Sequence, residues 1–311
     1  MSEKLEIENF NTNTVIYNDN YDNLVKYYYD YVLFLIKENC LDNSISNINI
    51  VLGNYEIYFN NSKITIRIDF NFEHTLVLKD GRDNRNAPFG NIRVNEDEYY
   101  LVRIQDYDRL NKFDIIIDYS KPNIINVGSL NTFQSFYDKM VYISPLIYEL
   151  HSEKNTRNVE LLTTFFDTNQ PRRHRLLTKI REQKLNHVNI NNCFNKIELQ
   201  TLYKNTKILI NIHQTDHHHT LEELRVLPAL LCGVIVICEE SPLKDAVEYS
   251  DFLVWTTYDN IMNTIHDVQT NYDEYHNKIF GNPNLENIIN KMKENNSNSI
   301  SHKINEYTNN V

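Results

Sequence analysis

The stretch KILINIHQTDHHHTLEELRVLPALLCGVIVICEE, residues 207–240, decides the fold. KILINIH and VIVICEE are apolar runs of strand length, and TLEELRVLPALL between them has the spacing of an amphipathic helix. The same alternation extends both ways. Upstream come the strand VELLTTFFD (159–167), the helix HRLLTKIREQK (174–184), the strand HVNIN (187–191) and the helix KIELQTLYKNT (196–206). Downstream come a short helix SPLKDAVEY (241–249), the strand FLVW (252–255) and the helix YDNIMNTIHDVQ (258–269). Short buried strands alternating with helices predict a doubly wound parallel α/β domain, with right-handed crossovers placing helices on both faces.

The first half reads differently. The spacing of YDNLVKYYYDYVLFLIKEN predicts a helix from about Asp22 to Asn39 after a polar opening. INIVLG (48–53) is a strand. YEIYF (55–59) and KITIRIDFNFEHTLVL (63–78) alternate with period two and predict a hairpin. After the loop DGRDNRNAPFGN, YYLVRI, FDIIIDY and NIINVG (123–128) read as further strands, and HSEKNTRN (151–158) as a polar linker. The expected domains are 1–150 and 151–290, with 291–311 a polar, fraying helical tail.

Composition narrows the function. With 311 residues, 41% hydrophobic and 23% charged, the chain is long enough for two domains with sizeable cores. A net charge of -11 opposes a nucleic-acid or membrane-surface partner. Cys40, Cys193, Cys232 and Cys238 lack C-x-x-C spacing and read as free thiols of a reducing compartment. The start MSEKLEIENF has no signal-peptide core, and no apolar run has the length of a membrane span; the expectation is a cytoplasmic protein.

Ligands of open parallel sheets bind outside the carboxyl ends of the strands, and three strand-to-helix junctions there concentrate polar residues. In FFDTNQPRRHRLL, Pro171 suits the first helical turn, and Arg172 and Arg173 follow where the helix dipole favours anions. They suit a diphosphate; the alternative is solvated surface arginines. The second junction delivers His213, Gln214 and Asp216 to the rim. Thr220 and Glu223 fit a capping box, so the helix is expected to start at Thr220, with Glu223 either bonding the cap or holding a ribose. Glu222 and Arg225 can share a face. His213 and His217–His219 offer nitrogens to a metal, yet three in a row cannot converge on one ion, and no H-E-x-x-H or paired cysteines complete a zinc spacing; no metal is expected. The third junction, VICEESPLK, offers Glu239 or Glu240 to a sugar or ribose, with Ser241 and Pro242 fitting a helix start.

Asn211 and His213, then Arg225, Val226, Gly233, Val234, Val236 and Glu239, resemble the carboxyl-terminal signature of GT-B glycosyltransferases: a strand ending N-x-H, a helix R-V-x-E-x-L-x-x-G and a strand V-x-V-x-x-E. The likeness covers roughly 159–260. It implies two facing Rossmann-like domains, the amino-terminal one reduced and with hairpin character. It also implies a nucleotide-sugar donor, most simply a UDP-sugar, used without metal or other cofactor, and a glycan, protein or small-molecule acceptor. Arg172 and Arg173 would meet the diphosphate, Thr220 would start the helix facing it, Glu222 or Glu223 would hold the ribose, and His213, Gln214, Asp216 and Glu239 would lie near the sugar. Pro228 replaces the glutamate common in that helix, and Thr220 stands at the position paired with it. Pro228 should also kink or break the helix. In the first half, Glu73, His74 or Asp118 are candidate bases for the acceptor hydroxyl. The alternative is that Glu73 pairs with Arg82 or Arg85 and His74 packs in its strand. Two other readings remain: a GT-A-type transferase using Asp106 and Asp108 to hold a divalent metal, and a non-catalytic nucleotide-sugar-binding scaffold.

Overall fold

The structure, a computed structural model, describes residues 5–41, 45–72, 76–78, 91–93, 99–101, 104, 106–151, 156–168, 170–214 and 220–309. It is mixed α/β and divides into two units. One comprises residues 1–75, 103–145 and 292–311; the other comprises 76–102 and 146–291.

The first unit holds a sheet of β1 (Leu5–Phe10), β2 (Asn13–Asn18), β3 (Ile48–Leu52), β4 (Ile64–Asn71), β8 (Ile115–Asp118) and β9 (Met140–Tyr142), in that spatial order. β1 and β2 form an antiparallel hairpin turned at Asn11, whose φ of 52° suits an asparagine; every other pairing is parallel. The predicted hairpin of YEIYF with KITIRIDF is therefore corrected. Residues 54–60 carry no strand, and β4 lies between two parallel neighbours with Ile66, Ile68 and Phe70 buried. Period-two alternation suits a hairpin strand, but β4 is a central strand of a parallel sheet. The polar opening is in fact the β1–β2 hairpin, whose second strand is wholly buried.

NIINVG is likewise not a strand. It lies in helix α3 (Lys121–Gly128), following α1 (Lys26–Leu41) and α2 (Tyr107–Leu110). The Ser120 side chain accepts the Asn123 N–H and Pro122 sits in the first turn, both helix-starting devices that override the apolar run. A further short helix is α4 (Gln134–Tyr137). The predicted fraying tail is part of a 27-residue helix, α10 (Pro283–Asn309), with Ile300 and Ile304 fully buried. Within this unit, Asn296 on α10 accepts from the Ser144 N–H and hydroxyl, both at 3.0 Å, and its amide donates to the Ser144 carbonyl and the Tyr31 hydroxyl. A buried, fully used amide explains an ordered helix in a polar sequence.

In the second unit, β5 (Leu76–Leu78), β6 (Asn91–Arg93) and β7 (Tyr99–Leu101) make a small antiparallel sheet. The main sheet is wholly parallel: β10 (Val159–Thr163), β11 (His187–Asn189), β12 (Thr206–Asn211), β13 (Ile235–Glu239) and β14 (Val254–Thr256), in the order β11-β10-β12-β13-β14. Its helices are α5 (Pro171–Glu182), α6 (Lys196–Lys204), α7 (Glu223–Leu231), α8 (Ile261–Thr270) and α9 (Tyr272–Phe280). The chain steps from β10 outward to β11, then returns to β12 on the other side of β10. Right-handed crossovers therefore put α5 on one face and α6 and α7 on the other. The direction reverses between β10 and β12, and open α/β sheets bind ligands at that reversal, beyond the strands' carboxyl ends.

Three local expectations change in this unit. SPLKDAVEY forms a single 3-10 turn at Lys244–Ala246 rather than an α-helix, preceded by Leu243 at φ 61°. Helix α7 starts at Glu223 and not at Thr220, and it runs through Pro228 to Leu231. Proline at that point forfeits one bond, to the Leu224 carbonyl, and burial of both flanks holds the helix together. The linker HSEKNTRN contains a buried residue, Arg157. Its guanidinium donates to the carbonyls of Tyr203, Thr206 and Cys232 at the amino edge of the sheet.

Candidate functional site

The loops after β10 and β12 bring three arginines to the carboxyl edge of the second sheet. Arg172 and Arg173 occupy the first turn of α5, behind Pro171. That turn has no acidic residue, and its N-cap, Gln170, makes no side-chain cap bond. Cations at a helix N-terminus oppose the dipole, so this placement needs an anion to be favourable. Arg225, on α7, donates to the Asn211 side chain at 2.9 Å.

Arg172 has an internal anion. It makes a two-pronged ion pair with Glu239, the last residue of β13, and both side chains are buried. The Glu239 carboxylate also accepts the His213 N–H at 3.0 Å. The Arg172 guanidinium lies 3.8 Å from the centre of the Tyr258 ring, whose hydroxyl donates to the Arg172 carbonyl at 2.7 Å. Helix α5 is thereby tied to the ends of β12 and β13 and to the loop after β14. His213 is 5% exposed and its Nε2 lies 2.9 Å from the Glu240 carbonyl, an acceptor, so that nitrogen carries the proton.

Arg173 is different. Among the described residues it has no ion pair, and its buried Nε has no hydrogen-bond partner. Its guanidinium packs on the buried Phe165 ring at 4.8 Å. Burial first, then repulsion from Arg225 and Arg172, draws its pKa down to about 10; Glu222 acts in the opposite sense. Arg173 remains charged at neutral pH.

The two glutamates at the start of α7 separate. Glu223 is fully buried and accepts from the Tyr249 hydroxyl at 3.1 Å, a contact inside the core. Burial, with Glu223 beside it, pushes the Tyr249 hydroxyl well above the usual tyrosine range. Glu222, half-buried, takes the N-cap position without a side-chain cap bond. Thr220 is buried and Gln214 half-buried at the same rim; Asp216 and His217–His219 lie outside the described residues.

In the first unit, Asp118 ends β8 with no exposure. It accepts from the Asn71 amide at 2.7 Å, the Ser120 N–H at 2.8 Å and the Asn123 amide at 3.3 Å, fixing the turn into α3. Glu73 and His74 lie outside the described residues, as do Arg82 and Arg85. Asp106 is exposed and 3.8 Å from Arg109, which also pairs with the buried Asp69; Asp108 is exposed in α2. Among the described residues, no group of three histidines, cysteines or acids is arranged to hold a metal. All four cysteines are free, three of them buried. Among the described residues no helix is long and apolar enough to cross a membrane.

Tyr258, Tyr249 and Arg157 were not singled out in the sequence. A signal existed for Tyr258: it follows a strand of the same sheet, so its loop reaches the same rim. Tyr249 and Arg157 carried none, because their roles depend on pairings distant in the chain.

No family model matches the chain. It is similar to Uncharacterized protein R358 of Acanthamoeba polyphaga mimivirus, 29% identical over 169 residues, which cover 53% of this chain and 56% of that protein. The chain thus spans about half the length of the curated relative it matches. Among solved structures it is similar to an α1,3-fucosyltransferase, at a TM-score of 0.39 and 10% identity over 77% of this chain and 69% of that one. A second, described as α1,3-fucosyltransferase with GDP, gives 0.40 and 10% over 80% and 75%.

Proposed function

We propose that this chain is a glycosyltransferase that moves a sugar from a nucleoside-diphosphate donor to an acceptor hydroxyl. Arg173 carries the proposal: a guanidinium with no ion pair among the described residues, in the first turn of α5, at the reversal point of a parallel sheet. A diphosphate there accepts from Arg173 and from the helix N–H groups, and Arg225 adds charge from the first turn of α7. As the bond from the sugar to the diphosphate breaks, negative charge grows on the leaving phosphate. Fixed cations and dipoles stabilise it without reorganising, so the proposed route uses no metal.

The other roles follow from what each side chain is already doing. Glu222 is the ribose ligand in preference to Glu223, which Tyr249 engages. Arg172 and Glu239 act through position, since each occupies the other. His213, Gln214 and Asp216 face the sugar. Glu73 or His74 is the base that takes the acceptor proton, in preference to Asp118, whose carboxylate is fully buried and bonded. The acceptor is a glycan, protein or small-molecule hydroxyl. The test is a thermal-shift screen of UDP, GDP and their sugar derivatives, followed by assay of transfer or donor hydrolysis with the compounds that stabilise. Stabilisation by none of them removes the proposal; stabilisation without turnover leaves a binding protein.

A further inference from the structure

The loop after β10, which leads into the turn that carries Arg173, holds an aromatic residue turned to solvent. Phe166 is 56% exposed, whereas its neighbour Phe165 is 1% exposed beneath the Arg173 guanidinium. Among the described residues Phe166 makes no ring contact. An exposed phenylalanine alone is ordinary; its setting here is not. The loop is held on both sides of it. The Phe165 carbonyl accepts from the Asn189 amide at 3.3 Å, the Asp167 carbonyl accepts from the Gln170 N–H at 3.1 Å, and the Asp167 carboxylate lies 3.5 Å from His174 on α5. The chain therefore presents a large apolar ring on a braced loop, seven residues before Arg173 and at the edge where ligands of such sheets bind.

We propose that Phe166 is the stacking platform for the nucleobase of the donor, and so the residue by which this site tells a nucleoside diphosphate from a bare diphosphate. This rests on the proposed diphosphate site at Arg173. Every base offers a π-face, so a phenylalanine platform adds affinity for both purine and pyrimidine nucleotides and none for inorganic pyrophosphate. The bonds made by Phe165 and Asp167 fix the loop backbone on either side of Phe166 before binding, which lowers the entropic cost of stacking.

The experiment compares wild type, Phe166→Ala, Phe166→Trp and Arg173→Met by calorimetric titration with inorganic pyrophosphate, UDP and GDP. Phe166→Ala is expected to weaken UDP and GDP by about tenfold or more while leaving pyrophosphate within about twofold. Phe166→Trp is expected to keep nucleotide affinity and to show fluorescence quenching on binding. Arg173→Met is expected to weaken all three ligands. If wild type binds pyrophosphate but Phe166→Ala leaves both nucleotides unchanged, the stacking role is wrong and the diphosphate site stands. If Phe166→Ala weakens pyrophosphate as much as the nucleotides, the residue shapes the loop and is no platform. If wild type binds no pyrophosphate and Arg173→Met changes nothing, the diphosphate site is wrong and the platform falls with it. Melting temperatures for each variant separate these outcomes from unfolding.

Discussion

Arg172 and Glu239 lie 67 residues apart and meet as a buried two-pronged ion pair across the carboxyl edge of the second sheet. The pair ties the start of α5 to the end of β13, and the His213 N–H joins it. Two charges taken out of water tolerate the loss of one partner badly, because the other is left buried and unpaired. Glu239→Ala is expected to cost about 3–5 kcal/mol in chemical denaturation. The double replacement Arg172→Met with Glu239→Leu is expected to cost much less, since it leaves no charge behind. Equal losses in both would show that the pair acts mainly through packing.

Arg173 should behave in the opposite way. Its charge is buried against Phe165 beside two like charges, and no described residue pairs with it. Arg173→Met keeps the apolar stem on the ring and removes the charge. Stability is expected to stay within about 0.5 kcal/mol of wild type or to rise. A large loss in a urea titration would mean that Arg173 has a structural anion of its own.

Much of this was legible in the sequence, for physical reasons. The second sheet is parallel and buried on both faces, so its strands are near-continuous apolar runs separated by helices, a pattern that survives in a single sequence. The junctions follow, because every such loop reaches the same rim. What was not legible depended on tertiary partners. Glu223 fits a capping box by spacing, but its contact with Tyr249 depends on a residue distant in the chain. Residues 123–128 have strand composition, yet Ser120 and Pro122 start a helix there. The tail reads as polar, yet Asn296 satisfies its whole amide against Ser144 and Tyr31. Pairing of Arg172 with Glu239 leaves no local mark at all.

His187 sets a pH dependence. Burial, with Arg181 nearby, draws its pKa from 6.5 down to about 4, and its Nε2 lies 2.9 Å from the Thr163 hydroxyl. The unfolded chain takes up this proton near pH 6.5 and the folded chain only near 4. The folded state is therefore favoured most above pH 6.5, and that share of stability is lost as pH falls from 6.5 to 4. His187→Gln is expected to flatten the difference over this window. Parallel stability curves for wild type and variant between those pH values would contradict it.

Gly233 ends α7 with φ of 76°, and a Cβ there would stand 2.6 Å from both the His151 carbonyl and the Arg157 guanidinium. Gly233→Ala therefore combines backbone strain with displacement of the arginine that holds three carbonyls. A loss of more than about 1 kcal/mol is expected in denaturant titration; a neutral result would mean that the turn relaxes freely.

In the proposed function, Arg173 pairs with the diphosphate of a nucleotide donor. The most direct measurement is calorimetric titration of UDP and GDP into wild type and Arg173→Met at two salt concentrations. The expected result is saturable one-to-one binding of at least one nucleotide by wild type, weaker at higher salt, and lowered by on the order of tenfold to a hundredfold in the variant while its melting temperature holds. Equal binding by wild type and variant, or no binding by either, would contradict it.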